Sequence, residues 1–271
     1  METYILKDFD IQQIHRSGQC FRMEQTGEDI FRVLAKDRYL EIAQTGEECC
    51  FFCTEEEFES FWKQYFDLDR DYGEVKRSID SRDIYLREAA QKGWGIRILK
   101  QDMWEMIVSF LISQQNNIPR IRKCIQNICE KYGEKRISDN GIIYYTFPTP
   151  SALSGAAEED LRACNLGYRS KYVLETAKRV ADGEVDLEEI EDMDYPDAKQ
   201  ELLKLYGVGE KVADCICLFA LHHLEAFPVD THIRQALDKH YPNGFPHKKY
   251  MGNQGILQQY IFYYELTEGR N

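Results

Sequence analysis

The chain of 271 residues carries a formal net charge of −13, and 43% of its residues are hydrophobic and 13% aromatic. This apolar content supports a packed core and excludes global disorder. The negative charge argues against a protein that coats nucleic acid through long-range attraction. Because salt screens such repulsion beyond about 8–10 Å, a local basic patch can still dock on DNA, with weak and salt-sensitive non-specific binding.

The chain has no recognisable membrane span or export signal. No apolar run approaches the length of about 18 residues needed to cross a bilayer, and the opening METYILKDFD lacks the basic and apolar regions of a signal peptide. The nine cysteines, an odd number, indicate reduced thiols. We therefore expect a cytoplasmic protein.

The first eighty residues predict an antiparallel β-sheet. Runs with strand-like alternation of apolar and polar residues occur at 20–23, 30–34, 39–43 and 49–53. Thr26-Gly27 and Thr45-Gly46 supply turns between them. Cys50 and Cys53 form a lone C-x-x-C, but no second pair completes a zinc site, so strand packing is favoured there.

From residue 54 onward the pattern becomes helical. One apolar helix face recurs at Trp104, Ile107, Val108, Leu111 and Ile112, and the next at Ile118, Ile121, Ile125 and Ile128. Further helices are predicted at 158–163 and 170–181, and the acidic stretch 184–194 is predicted to be a solvated connector. The fold class is therefore α+β: an N-terminal antiparallel β-sheet domain over residues 1–80, followed by an all-α region over residues 81–271.

The most informative stretch, residues 197–220, predicts a helix-hairpin-helix. Pro196 suits the first position of a helix, and Gly207-Val208-Gly209 then forces a tight turn because glycine tolerates positive φ. A second helix begins near Glu210. Backbone N–H groups at such a turn bind a phosphate oxygen without any side-chain charge, which partly offsets the acidity of the chain.

The hairpin and its downstream aspartate resemble the helix-hairpin-helix and Gly/Pro/Asp signature of the base-excision DNA glycosylase superfamily. Within it, the chain most closely resembles the eukaryotic-type 8-oxoguanine DNA glycosylases. The resemblance implies a bifunctional glycosylase and abasic-site lyase that excises 8-oxoguanine from duplex DNA, preferably opposite cytosine. The matching segments span nearly the whole chain: SGQCFR, ISQQNNIPRI, NLGYRSKY, LYGVGEKVADCICLFA, PVDTHIRQAL and GILQQYIFYY.

Lys211 and Asp230 are the predicted catalytic residues. A neutral lysine amine can displace the base and form a Schiff base with the sugar, after which β-elimination of the 3′ phosphate can follow. From the residues alone, a lysine that merely contacts phosphate is an equal alternative; the resemblance favours the nucleophile. Asp230 is predicted to cap the helical stretch 233–240. The resemblance implies that its carboxylate also stabilises charge on the sugar and assists Lys211.

Four residues are predicted to form the base pocket. Cys215 lies four residues after Lys211 and therefore projects from the same helix face. The resemblance implies that Cys215 and Phe262 cover the two faces of the flipped purine, and that Gln258 reads its Watson–Crick edge. It also implies that the carbonyl of Gly18 accepts the N7 hydrogen of 8-oxoguanine, where guanine has a repelling lone pair. Without the resemblance, helix packing is the favoured explanation for Cys215, Gln258 and Phe262.

The amides of residues 114–117 suit base edges because they both donate and accept, although a simple polar turn remains the alternative. By resemblance, Asn116 matches an Asn-rich loop, whereas Gln115 departs from the asparagine expected where the gap is filled. Four further DNA contacts follow by resemblance: Arg120 and Arg169 on the orphaned cytosine, Tyr168 as a wedge beside it, and His232 on a phosphate. Gly207, Val208 and Gly209 are the predicted backbone contacts of the hairpin turn with a phosphate. Candidates for a basic patch are Arg122, Lys123, Lys171, Lys178, Arg179, Lys248 and Lys249.

We expect no cofactor. Endonuclease III-like relatives carry four C-terminal cysteines for an iron–sulfur cluster, and this chain has no cysteine after Cys217. A monovalent or divalent cation held by hairpin carbonyls is left open. The expected partner is double-stranded DNA containing oxidised guanine, bound by a monomer that is nucleoid-associated if bacterial. Three alternatives remain: a glycosylase for another lesion, a non-catalytic helix-hairpin-helix module and a protein-interaction scaffold.

Overall fold

The computed structural model describes residues 1–268, so the last three residues of the predicted helical region lie outside the described residues. The N-terminal part is a five-stranded antiparallel sheet, as predicted, with strand order β1-β5-β4-β3-β2. Its strands are β1 Glu2–Ile5, β2 Met23–Gln25, β3 Ile30–Ala35, β4 Arg38–Thr45 and β5 Glu48–Phe51.

Two details of the predicted sheet are wrong. Strand β1 was not foreseen; it pairs with β5 at the edge of the sheet, where Glu2 lies opposite Phe51. The strand predicted at 20–23 begins only at Met23. The preceding residues form a loop because the Gln19 and Arg22 side chains make buried polar contacts with Arg97 and Glu105, outside the sheet.

Helices dominate the rest of the chain, which confirms the α+β class. A π-helical turn follows α2 at Phe58–Trp62 and another follows α9 at Arg162–Leu166, and a short 3-10 helix spans His247–Tyr250. The α-helices are α1 Ile11–Arg16, α2 Glu55–Glu57, α3 Lys63–Tyr65, α4 Tyr72–Arg77, α5 Ile84–Lys92, α6 Met103–Ser113, α7 Ile118–Tyr132, α8 Pro150–Ser154, α9 Glu158–Leu161, α10 Arg169–Ala181, α11 Leu187–Glu191, α12 Tyr195–Leu203, α13 Glu210–Phe219, α14 Thr231–His240 and α15 Gln254–Glu268.

Three features correct the predicted helical region. It is not all-α, because β6 Lys135–Ile137 and β7 Ile143–Tyr145 form a hairpin; the Asn140-Gly141 turn between two apolar runs was its sequence signal. The acidic connector contains helix α11, which forms because Ile190 is buried. Pro196 is the second rather than the first residue of α12, since Asp194 is the N-cap.

Two hydrophobic clusters form the core, one under the sheet and one among the helices. The clusters interlock, because Phe21 belongs to the helical one and Leu99 to the sheet one. An ion pair also joins the two parts: Arg22 Nη1 lies 3.1 Å from Glu105 Oε2, and both side chains are 5% exposed. Separating the sheet from the helical part would leave each charge buried without its partner, so this ion pair opposes the separation. The domain boundary at residue 80 stays a prediction.

Helix α6 differs from the amphipathic helix that its sequence predicts. Every residue from Met103 to Ile112 is buried, so the helix runs through the protein interior rather than along its surface. Helix α7 keeps the predicted one-sided pattern, with Ile121, Ile125 and Ile128 buried. Within residues 1–268, no helix combines the length and apolar character that crossing a bilayer requires.

Candidate active site

The predicted helix-hairpin-helix is present, formed by α12, the turn at residues 204–209 and α13. Gly207 adopts φ +88°, a conformation that favours glycine. The turn also packs tightly, because a Cβ built on Gly207 would lie 2.6 Å from Cγ of Tyr172 on α10. Glycine is therefore required at this position for two independent reasons, backbone conformation and space.

We expect Gly207→Ala to lower the free energy of unfolding by about 2–4 kcal/mol, because alanine adds both a strained φ and a clash with Tyr172. Urea denaturation measures this effect. Gly209→Ala is the matched comparison, since no atom lies within 4 Å of a Cβ there, and its expected cost is below about 1 kcal/mol. Equal costs for the two variants would contradict both the requirement for positive φ at Gly207 and the clash with Tyr172.

The hairpin presents unpaired backbone donors. Gly209 is the N-cap of α13 and has no side chain with which to satisfy the first-turn N–H groups. Glu210 would repel a phosphate there, but its carboxylate is bound by Lys199, with Lys199 Nζ 2.7 Å from Glu210 Oε2. Lys199 also lies 2.8 Å from the buried Asp214 and so ties α12 to α13. The turn thus remains able to bind an anionic oxygen.

Lys211 lies against an aromatic wall. Its Nζ is 5.3 Å from the centroid of the Phe110 ring on α6. Phe110 in turn stacks on Phe219 at 5.6 Å and meets the edge of Phe21 at 5.8 Å. These rings exclude water from one side of the amine. Sequence analysis missed Phe110, and because α6 is buried all round, its periodicity offered no signal.

Lys211 and Asp230 both influence the Cys215 thiol. Burial raises the pKa of the Cys215 thiol to about 11, against the opposing effect of the Lys211 ammonium and with a further contribution from the Asp230 carboxylate. Cys215 lies one turn after Lys211 on α13, so the two side chains project from the same helix face, as predicted. At neutral pH the Cys215 sulfur is a neutral thiol, suited to apolar contact with a base.

Asp230 is the N-cap of α14, as predicted. Its Oδ1 accepts a hydrogen bond from the backbone N–H of Ile233 at 2.8 Å. The capping bond holds the carboxylate rigidly at the end of the Pro228-Val229 segment. One carboxylate oxygen is thus committed to the helix, and the side chain remains partly exposed.

Gln258 is buried, and only one of the two polar groups of its side chain has a hydrogen-bond partner. Its Nε2 donates to the Pro228 carbonyl at 2.9 Å, whereas its Oε1 has no hydrogen-bond partner among the residues that the structure describes. An unpaired buried acceptor costs about 1–3 kcal/mol, so the position favours a ligand that donates. The N1 and N2 hydrogens of a guanine-type base are such donors.

Gly18 and Phe262 pack against each other. Gly18 adopts φ +75°, and a Cβ built on it would lie 3.1 Å from Phe262 Cε1. The His232 ring lies 6.1 Å from the Phe262 ring, in an edge-on arrangement. His232 is exposed at the start of α14. Three predicted residues from distant parts of the chain therefore come together around the Phe262 ring.

The loop between α6 and α7 is a structured turn. Gln114 Nε2 donates to the Gly207 carbonyl at 2.9 Å, which links the loop to the hairpin. Asn116 Nδ2 donates to the Ile112 carbonyl at 3.0 Å, and Asn117 caps α7. Gln115 is exposed and has φ +47°, a left-handed conformation that asparagine tolerates better than glutamine.

Arg169 occupies a different environment from that expected of a residue that reads a base. It is 3% exposed. Its Nε donates to the Gln114 carbonyl at 2.8 Å and its Nη2 to the Gln115 carbonyl at 2.9 Å. In this structure the guanidinium therefore supports the loop. Its contact with cytosine stays a prediction that would require these bonds to open.

Tyr168 and Arg120 remain available for DNA. Tyr168 is 44% exposed, and the Arg169 guanidinium lies 4.6 Å from its ring centroid. Arg120 is exposed at the start of α7. Their roles stay predictions.

The basic-patch candidates divide into two groups. Arg122 donates to the His15 carbonyl, Arg179 donates to the Lys204 carbonyl, and Lys249 pairs with Asp80, so these three have structural partners. The other four candidates, Lys123, Lys171, Lys178 and Lys248, are exposed, as is Lys249 itself. Across the described residues, no group of three or more His, Cys, Asp or Glu side chains is arranged to hold a metal ion.

Two protein-family descriptions match the chain and together cover most of it. Residues 4–107 match the 8-oxoguanine DNA glycosylase, N-terminal domain. Residues 108–254 match the HhH-GPD superfamily base excision DNA repair protein. The boundary between the two matches lies within α6, which passes through the helical core beside the sheet domain.

Individual relatives agree with the family matches. A probable N-glycosylase/DNA lyase of Methanothermobacter thermautotrophicus is 31% identical over 75% of this chain and 73% of its own length. An N-glycosylase/DNA lyase of Saccharomyces cerevisiae is 38% identical over 54% of this chain, and the match spans less than half of the yeast protein, 42%.

A solved structure extends the likeness to nearly the whole chain. The Clostridium acetobutylicum 8-oxoguanine glycosylase/lyase, in complex with double-stranded DNA containing cytosine opposite 8-oxoguanine, superposes with a TM-score of 0.91. It is 40% identical, over 97% of this chain and 93% of the other. This chain therefore belongs to the HhH-GPD superfamily of base-excision DNA repair proteins and carries the N-terminal domain of the 8-oxoguanine DNA glycosylases.

Proposed function

We propose that this chain is a bifunctional DNA glycosylase and abasic-site lyase that excises 8-oxoguanine from duplex DNA, preferably opposite cytosine. The observation that carries the proposal is the position of Lys211 in the first turn of α13, directly behind the hairpin, with its amine against the Phe110 ring and Cys215 one helical turn away. The hairpin binds the lesion strand through its backbone N–H groups, and the damaged nucleotide swings out of the duplex at a cost of a few kcal/mol.

Base release begins with a neutral Lys211 amine, which attacks C1′ of the flipped nucleotide. The C1′–N9 bond breaks, and the base leaves with its electron pair and takes up the proton released from the new C–N bond. The Asp230 carboxylate stabilises the positive charge that develops on the sugar. The nitrogen lone pair then forms the C1′=N bond as the C1′–O4′ bond breaks, O4′ takes up a proton from water, and the resulting protonated imine acidifies C2′. Transfer of the C2′ proton to water leaves an electron pair that forms the C1′–C2′ double bond of an enamine, and this expels the 3′ phosphate with the electrons of the C3′–O bond and cleaves the strand.

Recognition of the base follows from the donors and acceptors in the pocket. Gln258 Oε1 accepts from the Watson–Crick edge of a guanine-type base, because the Nε2 group is already bound to Pro228. The Gly18 carbonyl accepts the N7 hydrogen that 8-oxoguanine has and guanine lacks. Phe262 covers one face of the ring, and the Cys215 sulfur contacts the other.

The test is excision from duplexes that carry 8-oxoguanine opposite each of the four bases, with undamaged guanine opposite cytosine as the reference. We expect fastest release opposite cytosine and no release of guanine. Equal release of 8-oxoguanine and guanine would contradict the role of Gly18. Release of a different lesion, with none of 8-oxoguanine, would contradict the proposed substrate.

We expect Gln115→Asn to strengthen the preference for cytosine opposite the lesion. The same substitution should stabilise the loop by a few tenths of a kcal/mol, because asparagine adopts positive φ at lower cost. The measurement is the ratio of excision rates opposite cytosine and adenine, with Gln126→Asn on the exposed face of α7 as the control. An unchanged ratio would show that residue 115 does not set the preference.

We propose that the enzyme acts in the cytoplasm, associated with the nucleoid if it is bacterial, as a monomer without an iron–sulfur cluster. A cation at the hairpin would have to share the Gly207 and Gly209 carbonyls, which already accept from Gln114 Nε2 and the Ala213 N–H. Iron analysis of the purified protein tests for the cluster. Comparison of the DNA affinity in potassium chloride with that in tetramethylammonium chloride tests for a cation at the hairpin. Iron in stoichiometric amount would contradict the expected absence of an iron–sulfur cluster.

A further inference from the structure

The peptide groups around Gly18 are held by a set of buried glutamine side chains. Gln259 Nε2 on α15 donates to the Ser17 carbonyl at 2.6 Å. Gln101 Nε2 donates to the Gln19 carbonyl at 2.9 Å. The carbonyls on both sides of Gly18 are therefore each bound by an amide from another part of the chain.

The side chain of Gln19 links this segment to Ser17 and to the segment that contains Arg97 and Leu99. Its Nε2 donates to Ser17 Oγ at 2.8 Å and to the Arg97 carbonyl at 2.9 Å, and its Oε1 accepts from the Leu99 N–H at 2.8 Å. Ser17 and Gln19 are 0% exposed, Gln259 is 2% and Gln101 is 7% exposed. Such an arrangement in the interior rigidifies the segment, because every alternative conformation leaves a buried polar group unpaired.

The Gly18 carbonyl differs from the two neighbouring carbonyls in its hydrogen bonding. No donor reaches it within residues 1–268, whereas the Ser17 and Gln19 carbonyls are both bound. Glycine at φ +75° lets the chain turn so that this carbonyl differs in direction from the two beside it. The network thus leaves one acceptor free and prevents the flanking peptide groups from rotating.

Helix α15 couples this network to the base pocket. Gln258, Gln259 and Phe262 lie within about one helical turn, so a single rigid element carries the amide facing the base, the amide fixing Gly18 and the ring covering the pocket. Gln101 reaches the other side, because its backbone N–H donates to the carbonyl of Phe219 at the end of α13, the helix that carries Lys211.

We propose that Gln259, together with Gln101, is a positioning residue that determines the discrimination between 8-oxoguanine and guanine by fixing the direction of the Gly18 carbonyl. This inference rests on the proposed function and deepens it. A hydrogen bond weakens steeply when its angle departs from linearity, and a functional group must be held within about 0.5 Å to discriminate. Selection through a single N7 hydrogen therefore depends on the residues that prevent this peptide from turning.

The test replaces Gln259 with methionine, which has a similar shape but no donor. We expect Gln259→Met to reduce single-turnover release of 8-oxoguanine by about 10- to 100-fold, the range for one misdirected hydrogen bond. Trapping on duplexes with a preformed abasic site should stay within about two-fold of the parent, because such a sugar has no base to meet Gly18. Gln91→Met, on the exposed face of α5, is the matched control.

A substrate analogue separates positioning from general weakening. An 8-oxoguanine analogue with carbon in place of N7 cannot donate to Gly18. In a Lys211→Gln background, we expect Gln259→Met to weaken binding of the 8-oxoguanine duplex but not of the analogue duplex. Gln101→Met, which frees the other flanking carbonyl, should reproduce this pattern and serves if Gln259→Met does not fold.

The outcomes distinguish this inference from the proposed function. Equal loss of base release and abasic-site trapping in Gln259→Met, or equal loss of binding to both duplexes, would overturn the positioning role. Full activity of Gln259→Met and Gln101→Met would also overturn it. Failure of the unmodified protein to release 8-oxoguanine would instead overturn the proposed function, and this inference with it.

Discussion

We expect Lys211→Gln to lose strand cleavage and borohydride trapping completely, and to lose base release by at least about 10³-fold. Glutamine keeps the length and polarity of the side chain but cannot form an imine. The folded structure should persist, because Lys211 makes no ion pair with any residue in the described part of the chain and lies at the partly exposed start of α13. The measurement is covalent capture of a radiolabelled lesion duplex in the presence of borohydride, read on a denaturing gel.

The control for this prediction is Lys100→Gln, which removes a charge from an exposed position away from the hairpin. It should trap DNA at the rate of the parent. Binding of the lesion duplex should survive in Lys211→Gln, since the backbone of the hairpin and not this amine holds the phosphate. Trapping that persists in Lys211→Gln would assign the nucleophile elsewhere, whereas trapping absent from the parent as well would favour a non-catalytic DNA-binding module.

Asp230→Asn should separate the two roles of this residue. Asparagine caps helices about as well as aspartate, so the bond to the Ile233 N–H and the stability of α14 should be retained. The negative charge is lost, however, and with it the stabilisation of the positively charged sugar. We expect base release to fall by about 10²–10³-fold, the usual effect of removing one preorganised charge-stabilising group, with a change in unfolding free energy below about 0.5 kcal/mol.

Asp230→Ala completes the comparison, because it removes the cap and the charge together. Its base release should match that of Asp230→Asn, whereas its unfolding free energy should fall by a further amount of about 1 kcal/mol. Single-turnover kinetics and urea denaturation of the same preparations measure the two effects. If Asp230→Asn released the base at the parent rate while Asp230→Ala did not, the residue would act only as a cap.

Local sequence determined the elements whose conformation depends on their own residues. The glycine-bracketed turn, the capping role of Asp230 and the one-sided helix α7 were all predictable, because positive φ, an N-terminal carboxylate and a 3.6-residue apolar repeat are local requirements. The sheet was predictable for the same reason, since its central strands alternate between buried and exposed residues. With the resemblance, these features were sufficient to name Lys211 and Asp230.

Tertiary structure decided the surroundings of those residues. Helices α6 and α15 are buried on nearly all sides, so a periodic pattern could not show that Phe110 faces Lys211, or that Gln258 and Gln259 face different partners. The burial of Arg169 under the loop carbonyls likewise depends on how α10 packs. Which carbonyl stays free at Gly18 is set by amides from Gln101 and Gln259, far away in the chain. Hydrogen bonds between distant residues leave no local repeat in a sequence, and only the packed chain brings their partners together.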